Sequence, residues 1–137
     1  MSSATSKFVL DSHAWIEYFK GSEKGEKIRA IVEGGNSYTP ILVLTEITYW
    51  YAKQNAEHKD RIDFITTNST IVKETVDIAV KAGMIKKLVR KKYKNNFGTI
   101  DAIILATARS LKAITITGDY HFKPLKNVEY IGDVSGK

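Results

Sequence analysis

The chain has no cysteine. That absence excludes disulfides, thiolate zinc sites and cysteine nucleophiles together, and it fits a cytoplasmic protein. Long apolar runs are missing too. The longest, Ala102–Ala106, falls far short of the about 20 residues a spanning helix needs, so no membrane is implied. The first seven residues lack the apolar stretch of a signal peptide. There is no linker, internal repeat, low-complexity tract, P-loop or dinucleotide fingerprint, which leaves nucleotide hydrolysis unsupported.

What remains is a chain of 137 residues with 43% apolar and 26% charged residues, the make-up of one globular domain. Lysines and arginines number 21 against 15 acids, a net charge of +6. That balance leans toward a polyanionic partner, although a lysine-rich surface also serves solubility. The pattern predicts alternating elements. A buried strand over Lys7–Asp11 precedes a short helix with Ser12 as cap, carrying Trp15, Ile16 and Phe19. A helix over Lys24–Glu33 stops at Gly34-Gly35, and a short strand fits Ser37–Thr39. Helices are expected over Ile41–Lys53, begun by Pro40, and over Ala56–Thr67, then a strand over Thr70–Lys73.

Thr75 caps a long helix from Val76 to Lys92, with Ile78, Ala79, Ala82, Ile85, Val89 and Tyr93 on its apolar stripe. A loop at Asn95–Gly98 leads to a helix over Ile100–Leu111, with Thr99 as cap. Strands over Ala113–Thr117 and Val128–Ile131 flank a loop over Gly118–Lys126. Alternation of this kind argues for an α/β domain with a mainly parallel central sheet flanked by helices, over residues 7–132. Residues 1–6 and 133–137 read as tails.

Most acids sit on polar, lysine-rich stretches and need no explanation. Four do not. Asp11 ends the first apolar strand, Glu46 interrupts an apolar helix, Asp101 opens another, and Asp119 follows the strand ending at Thr117. Acids are rarely buried without a partner, and ligands of a parallel sheet bind at the carboxyl ends of its strands. All four acids are expected at that rim. Two carboxylates about 4 Å apart repel by about 4 kcal/mol at an effective dielectric near 20. Either some carry raised pKa values, or a cation sits among them. All-oxygen ligands without cysteine favour Mg²⁺ or Mn²⁺ over zinc. Each acid also has a plainer role: helix cap for Asp11, dipole partner for Asp101, turn residue for Asp119, lysine partner for Glu46.

In these residues the chain resembles the PIN-domain nucleases, and among them the small VapC-type toxins. The resemblance covers nearly the whole chain: a strand ending in Asp11-Ser12, the acid in Leu44-Thr45-Glu46-Ile47, Asp101-Ala102 with Ala106 following, and Thr117-Gly118-Asp119 with Phe122 beyond. It implies an endoribonuclease dependent on Mg²⁺ or Mn²⁺, with Asp11, Glu46, Asp101 and Asp119 as catalytic and metal-binding residues. Ser12 and Thr117 match positions where a hydroxyl supports the acids. The resemblance further implies a homodimer and a cognate antitoxin covering the active groove. One departure stands out. Where the family often has a further acid two positions past its last aspartate, this chain has His121, either a phosphate contact or a loop histidine.

Lys86, Lys87, Arg90, Lys91, Lys92 and Lys94 crowd the end of the long helix, either as a solvated face or as contacts for an RNA backbone. Tyr49, Trp50 and Tyr51, like Trp15 and Phe19, read as core or subunit interface, and His13 and His58 as structural. Three other readings compete. One is an RNA-processing or RNA-decay nuclease without an antitoxin. Another is a phosphatase of the haloacid-dehalogenase type with Asp11 as nucleophile, which lacks its second aspartate because position 13 is histidine. The third is a non-catalytic module that binds metal and RNA.

Overall fold

The computed structural model describes residues 6–132. The expected tails lie outside the described residues, apart from Ser6. Five strands alternate with six helices: β1 (Phe8–Leu10), α1 (Ser12–Lys20), α2 (Glu23–Glu33), β2 (Ser37–Pro40), α3 (Ile41–Ala52), α4 (Lys59–Asn68), β3 (Thr70–Val72), α5 (Val76–Tyr93), α6 (Thr99–Leu111), β4 (Ile114–Thr117) and β5 (Val128–Tyr130). The strands form one sheet in the order β3-β2-β1-β4-β5, and every pairing is parallel.

This order decides where a ligand binds. From β1 the chain steps outward to β2 and β3, then returns past β1 to build β4 and β5 on its other side. Right-handed crossovers therefore place α1–α4 on one face of the sheet and α5–α6 on the other. The packing agrees, α1 lying against α2 and α3, and α5 against α6. The topological switch point falls between β1 and β4, where a crevice opens at the strands' carboxyl ends. Leu10 pairs with Ile116 there, and the Asp11 N–H donates to the Ile116 carbonyl at 3.3 Å.

Short parallel strands stand because both faces are covered. Val9, Leu10 and Ile116 are fully enclosed, with Trp15 from α1 and Ile104 and Leu105 from α6 packed around them. The Trp15 indole N–H donates to the Thr39 hydroxyl at 3.0 Å, and Thr39 shares a 2.7 Å bond with Ser69. Those bonds satisfy three buried polar groups and tie α1 to β2 and the end of α4. Gly25 lets α2 approach α1: a Cβ there would lie 2.5 Å from the Glu17 carbonyl.

Several expectations shift at element ends. Asp11, not Ser12, caps α1, its carboxylate accepting from the Ala14 N–H at 2.9 Å. Gly98, not Thr99, is the cap residue of α6, and Thr75 caps α5 as expected. α4 starts at Lys59 because the Glu57 carboxylate accepts from the His58 and Lys59 N–H groups at 2.9 and 2.8 Å. The loop after β4 contains a 3-10 turn, Tyr120–Phe122. Ala79, expected on the buried stripe of α5, is exposed, as are Val76, Val80, Met84 and Leu88.

Candidate active site

The crevice between β1 and β4 gathers the four acids. Asp11 leaves β1 and is almost fully buried at 3% exposure. One of its oxygens is taken by the Ala14 N–H and the other accepts the Thr117 hydroxyl proton from the end of β4. The same hydroxyl accepts from the Asp119 N–H at 2.9 Å, so Thr117 fixes both aspartates at once. Asp101, in the first turn of α6, reaches back to accept the Gly98 N–H at 2.9 Å. Asp119 caps the 3-10 turn, accepting from the His121 N–H at 2.9 Å and facing its Nδ1 at 2.8 Å.

The charges of these groups reach one another. Burial pushes the Asp101 carboxyl up to about 6; the Gly98 N–H opposes this, and the nearby Asp119 adds to it. Burial also raises the Glu46 carboxyl, against a hydrogen bond from Ser12, with Asp11 and Asp119 raising it further. Two carboxyls with raised pKa values at one sheet edge mark a place where negative charge is costly and a cation is favourable.

Within the cluster the groups separate. Asp101, Asp119 and His121 each present a ligand atom within 4.8 Å of the others, and among the described residues this is the group spaced to hold one ion. That group does not include Asp11 or Glu46, although Glu46 feels the charges of Asp11 and Asp119. His121 therefore faces the acids directly. Two carboxylates and one imidazole could hold a divalent cation, with a donor set that is no longer all oxygen.

His13, read from the sequence as structural, belongs to this site. Its Nδ1 lies 3.6 Å from an Asp11 oxygen, and hydrogen bonding to Asp11 raises its pKa, with burial opposing and Asp119 and Glu46 assisting. Its ring rests over Gly118, where a Cβ would come 3.2 Å from the His13 Cβ. The signal was local: position 13 lies in the first turn above the cap Asp11. His58 is the N-cap residue of α4 and makes no side-chain cap bond there.

The basic stretch does not form one patch. Lys86 donates to the Thr99 hydroxyl at 2.9 Å, two residues before Asp101, whereas Lys92 lines a groove with Arg109 and Lys126. Lys87, Arg90, Lys91 and Lys94 are exposed around the end of α5. The aromatics divide as well. Trp15 is core, but Tyr49 is 66% exposed and Trp50 only half-buried, so position 49 contributes nothing to the core.

The family model of the PIN domain matches residues 8–127, most of the chain and all four acids. The chain belongs to the PIN-domain family. That family comprises nucleases, and its fold is the all-parallel sheet described above. No curated protein matches the sequence. Among solved structures, a toxin-antitoxin complex from Klebsiella pneumoniae aligns at TM-score 0.71 and 21% identity, over 93% of this chain and 100% of that one. DNA-bound VapBC from Salmonella typhimurium aligns at 0.72 and 18%, over 93% and 99%. VapBC2 from Rickettsia felis, bound to a DNA fragment from its promoter, aligns at 0.68 and 17%, over 90% and 97%. At these identities the likeness is one of fold. Among the described residues, no helix of this PIN domain is long and apolar enough to cross a membrane.

Proposed function

We propose that this PIN domain is an endoribonuclease dependent on Mg²⁺ or Mn²⁺, acting in the cytoplasm as the toxin of a toxin–antitoxin pair. The observation that carries the reading is the meeting of Asp11, Glu46, Asp101 and Asp119 at the switch point, with Asp101 pushed up to about 6. Four acids from four segments repel one another without a cation, and the fold tolerates that repulsion at this crevice.

Asp101, Asp119 and His121 are the residues to hold the ion, with Asp11 and Glu46 bordering it. When bound, such an ion supplies positive charge for the phosphate oxygens and acidifies water. Thr117 keeps Asp11 and Asp119 in register. Glu46, raised by burial, is the group suited to accept the proton of an attacking water. His13, raised beside Asp11, adds positive charge facing the phosphate. Lys86, anchored at the start of α6, and Lys87, Arg90, Lys91 and Lys94 further along α5 supply backbone contacts.

The toxin part of the reading draws on the three solved complexes, which share this fold with their toxin–antitoxin assemblies. Pairing into a homodimer has a surface available in the exposed apolar row Val76, Val80, Met84 and Leu88 of α5.

The deciding experiment is cleavage of end-labelled structured RNAs by wild type and Asp101→Asn with Mn²⁺, Mg²⁺ or EDTA. Metal-dependent cutting by wild type alone supports the nuclease. Equal cutting by the variant removes Asp101 from the site. RNA retained in a gel-shift assay but cut by neither protein points to a binding module instead.

A further inference from the structure

Beside the acids lies a cavity that metal binding leaves unused. It sits between α1 and α3 and has a volume of about 310 Å³. Ser12, His13 and Glu46 belong both to it and to the acid cluster, so the two spaces are continuous. Tyr49 and Trp50 also line it. The Trp50 ring is held edge-on against Tyr51 with centroids 5.0 Å apart, while Tyr49 stays largely in solvent at 66% exposure. Tyr49 stands one helical turn from the half-buried Glu46; the Lys53 ammonium lies over its ring at 5.5 Å, and the side chain takes no part in the core.

We propose that this cavity takes the base of the nucleotide next to the scissile phosphate, with Tyr49 as its stacking platform. The proposal rests on the ribonuclease reading above. Because Ser12, His13 and Glu46 border both spaces, a phosphate held at the acids would carry its neighbouring base toward the cavity. The volume lies at the lower end of the about 300–1,000 Å³ typical of small-molecule sites, which suits one nucleotide rather than a folded element. The lining is mixed: Ile16, Tyr49 and Trp50 give it apolar faces, and Ser12, His13, Glu17, Lys20 and Glu46 its polar groups. Lys20 and Glu17, paired at 3.6 Å, set a donor and an acceptor at the rim, where a base edge carries matching groups. Stacking on an aromatic ring accepts any base, so sequence preference comes from Glu17 and Lys20.

The protein carries its own reporter. Trp50 lines the cavity and Trp15 is fully buried in the core, so loss of the signal in Trp50→Phe assigns a ligand-dependent emission change to Trp50. Titration with AMP, GMP, CMP and UMP is expected to quench that emission saturably and unequally. Tyr49→Ala should weaken binding about tenfold, equivalent to about 1.4 kcal/mol, and Tyr49→Phe should restore it. On labelled RNA, Tyr49→Ala should raise KM and flatten the choice of cut sites, while calorimetric Mn²⁺ binding stays at the wild-type value. Unchanged KM and unchanged cut sites in Tyr49→Ala overturn the proposal, as does absence of quenching, the result expected if a partner's peptide fills the cavity. Wild type that cuts no RNA defeats the nuclease reading separately; the monophosphate titration still decides the cavity.

Discussion

Removing the charge of Asp101 should make the metal-free protein more stable. Its carboxyl is held up to about 6, above the ordinary 3.8, chiefly by burial. A carboxyl whose folded pKa exceeds its unfolded value binds its proton more tightly in the native state. Its contribution to stability is therefore complete below 3.8 and is lost as pH rises through about 6. At about 1.36 kcal/mol per pH unit, the full gap is worth about 3 kcal/mol at neutral pH. Asp101 is only partly buried, and solvent screening leaves only part of this to be recovered by a substitution. Asparagine still accepts from the Gly98 N–H, but loses about 1 kcal/mol of charge assistance.

The net gain expected from Asp101→Asn is about 1–2 kcal/mol. Unfolding entropy of about 2.1 cal/mol/K per residue, over 137 residues, converts each kcal/mol to about 3–4 °C. Thermal unfolding in EDTA should therefore show the variant melting about 3–8 °C above wild type at neutral pH. Near pH 4, where wild-type Asp101 is already protonated, the two curves should nearly coincide. A lower melting temperature for the variant at neutral pH refutes the reasoning. So does an equal gain at both pH values, because the effect would then have nothing to do with charge.

Two further outcomes follow from the same geometry. Saturating Mn²⁺ should raise the melting temperature of wild type by several degrees and of Asp101→Asn by much less, since a ligand of the native state stabilises in proportion to its affinity; equal shifts in calorimetry remove Asp101 from the ligand set. Gly118→Ala sets a Cβ 3.2 Å from that of His13 and should tilt the ring away from Asp11. The imidazole pKa, followed by NMR, should then fall back toward 6.5, and an unchanged titration would show that Gly118 does not hold His13 in place.

Much of the fold was legible because local signals agreed with the final packing. The apolar triplet Phe8–Leu10, the breaker Gly34-Gly35 and the helix-starting Pro40 each mark an element the structure contains. The sheet order was not legible. Strands of three or four residues carry no period that says whether β4 joins β3 or slips in beside β1, and that choice depends on the long return through α5 and α6. α5 shows the limit of the stripe argument. Val76, Val80, Met84 and Leu88 run along it as plausibly as the buried residues do, so apolar spacing alone could not say which side faces the sheet. Cap positions slipped by one residue where two neighbours are both capping types, as at Asp11-Ser12 and Gly98-Thr99.

The acids stood out for a different reason: Asp11, Glu46 and Asp101 sit in apolar contexts that a solvated acid avoids, and Asp119 follows closely on a buried strand. What the sequence concealed is where each oxygen points. Asp11 spends its oxygens on the Ala14 N–H and the Thr117 hydroxyl, while Asp101 and Asp119 turn oxygens toward His121 and each other. Asp11 is thus a strut as well as a charge, and its loss should be felt by the fold. Asp11→Ala removes a helix cap, about 1 kcal/mol, and leaves the buried Thr117 hydroxyl without an acceptor, about 1–3 kcal/mol more. A fall of about 7–14 °C in melting temperature is expected, opposite in sign to the change at Asp101. If Asp11→Ala melts at or above wild type, the capping and threonine bonds carry no weight, and Asp11 belongs with the ligands after all. If it melts low, inactivity of an Asp11 variant says nothing about chemistry, and Asp101 is the position at which catalysis and folding separate.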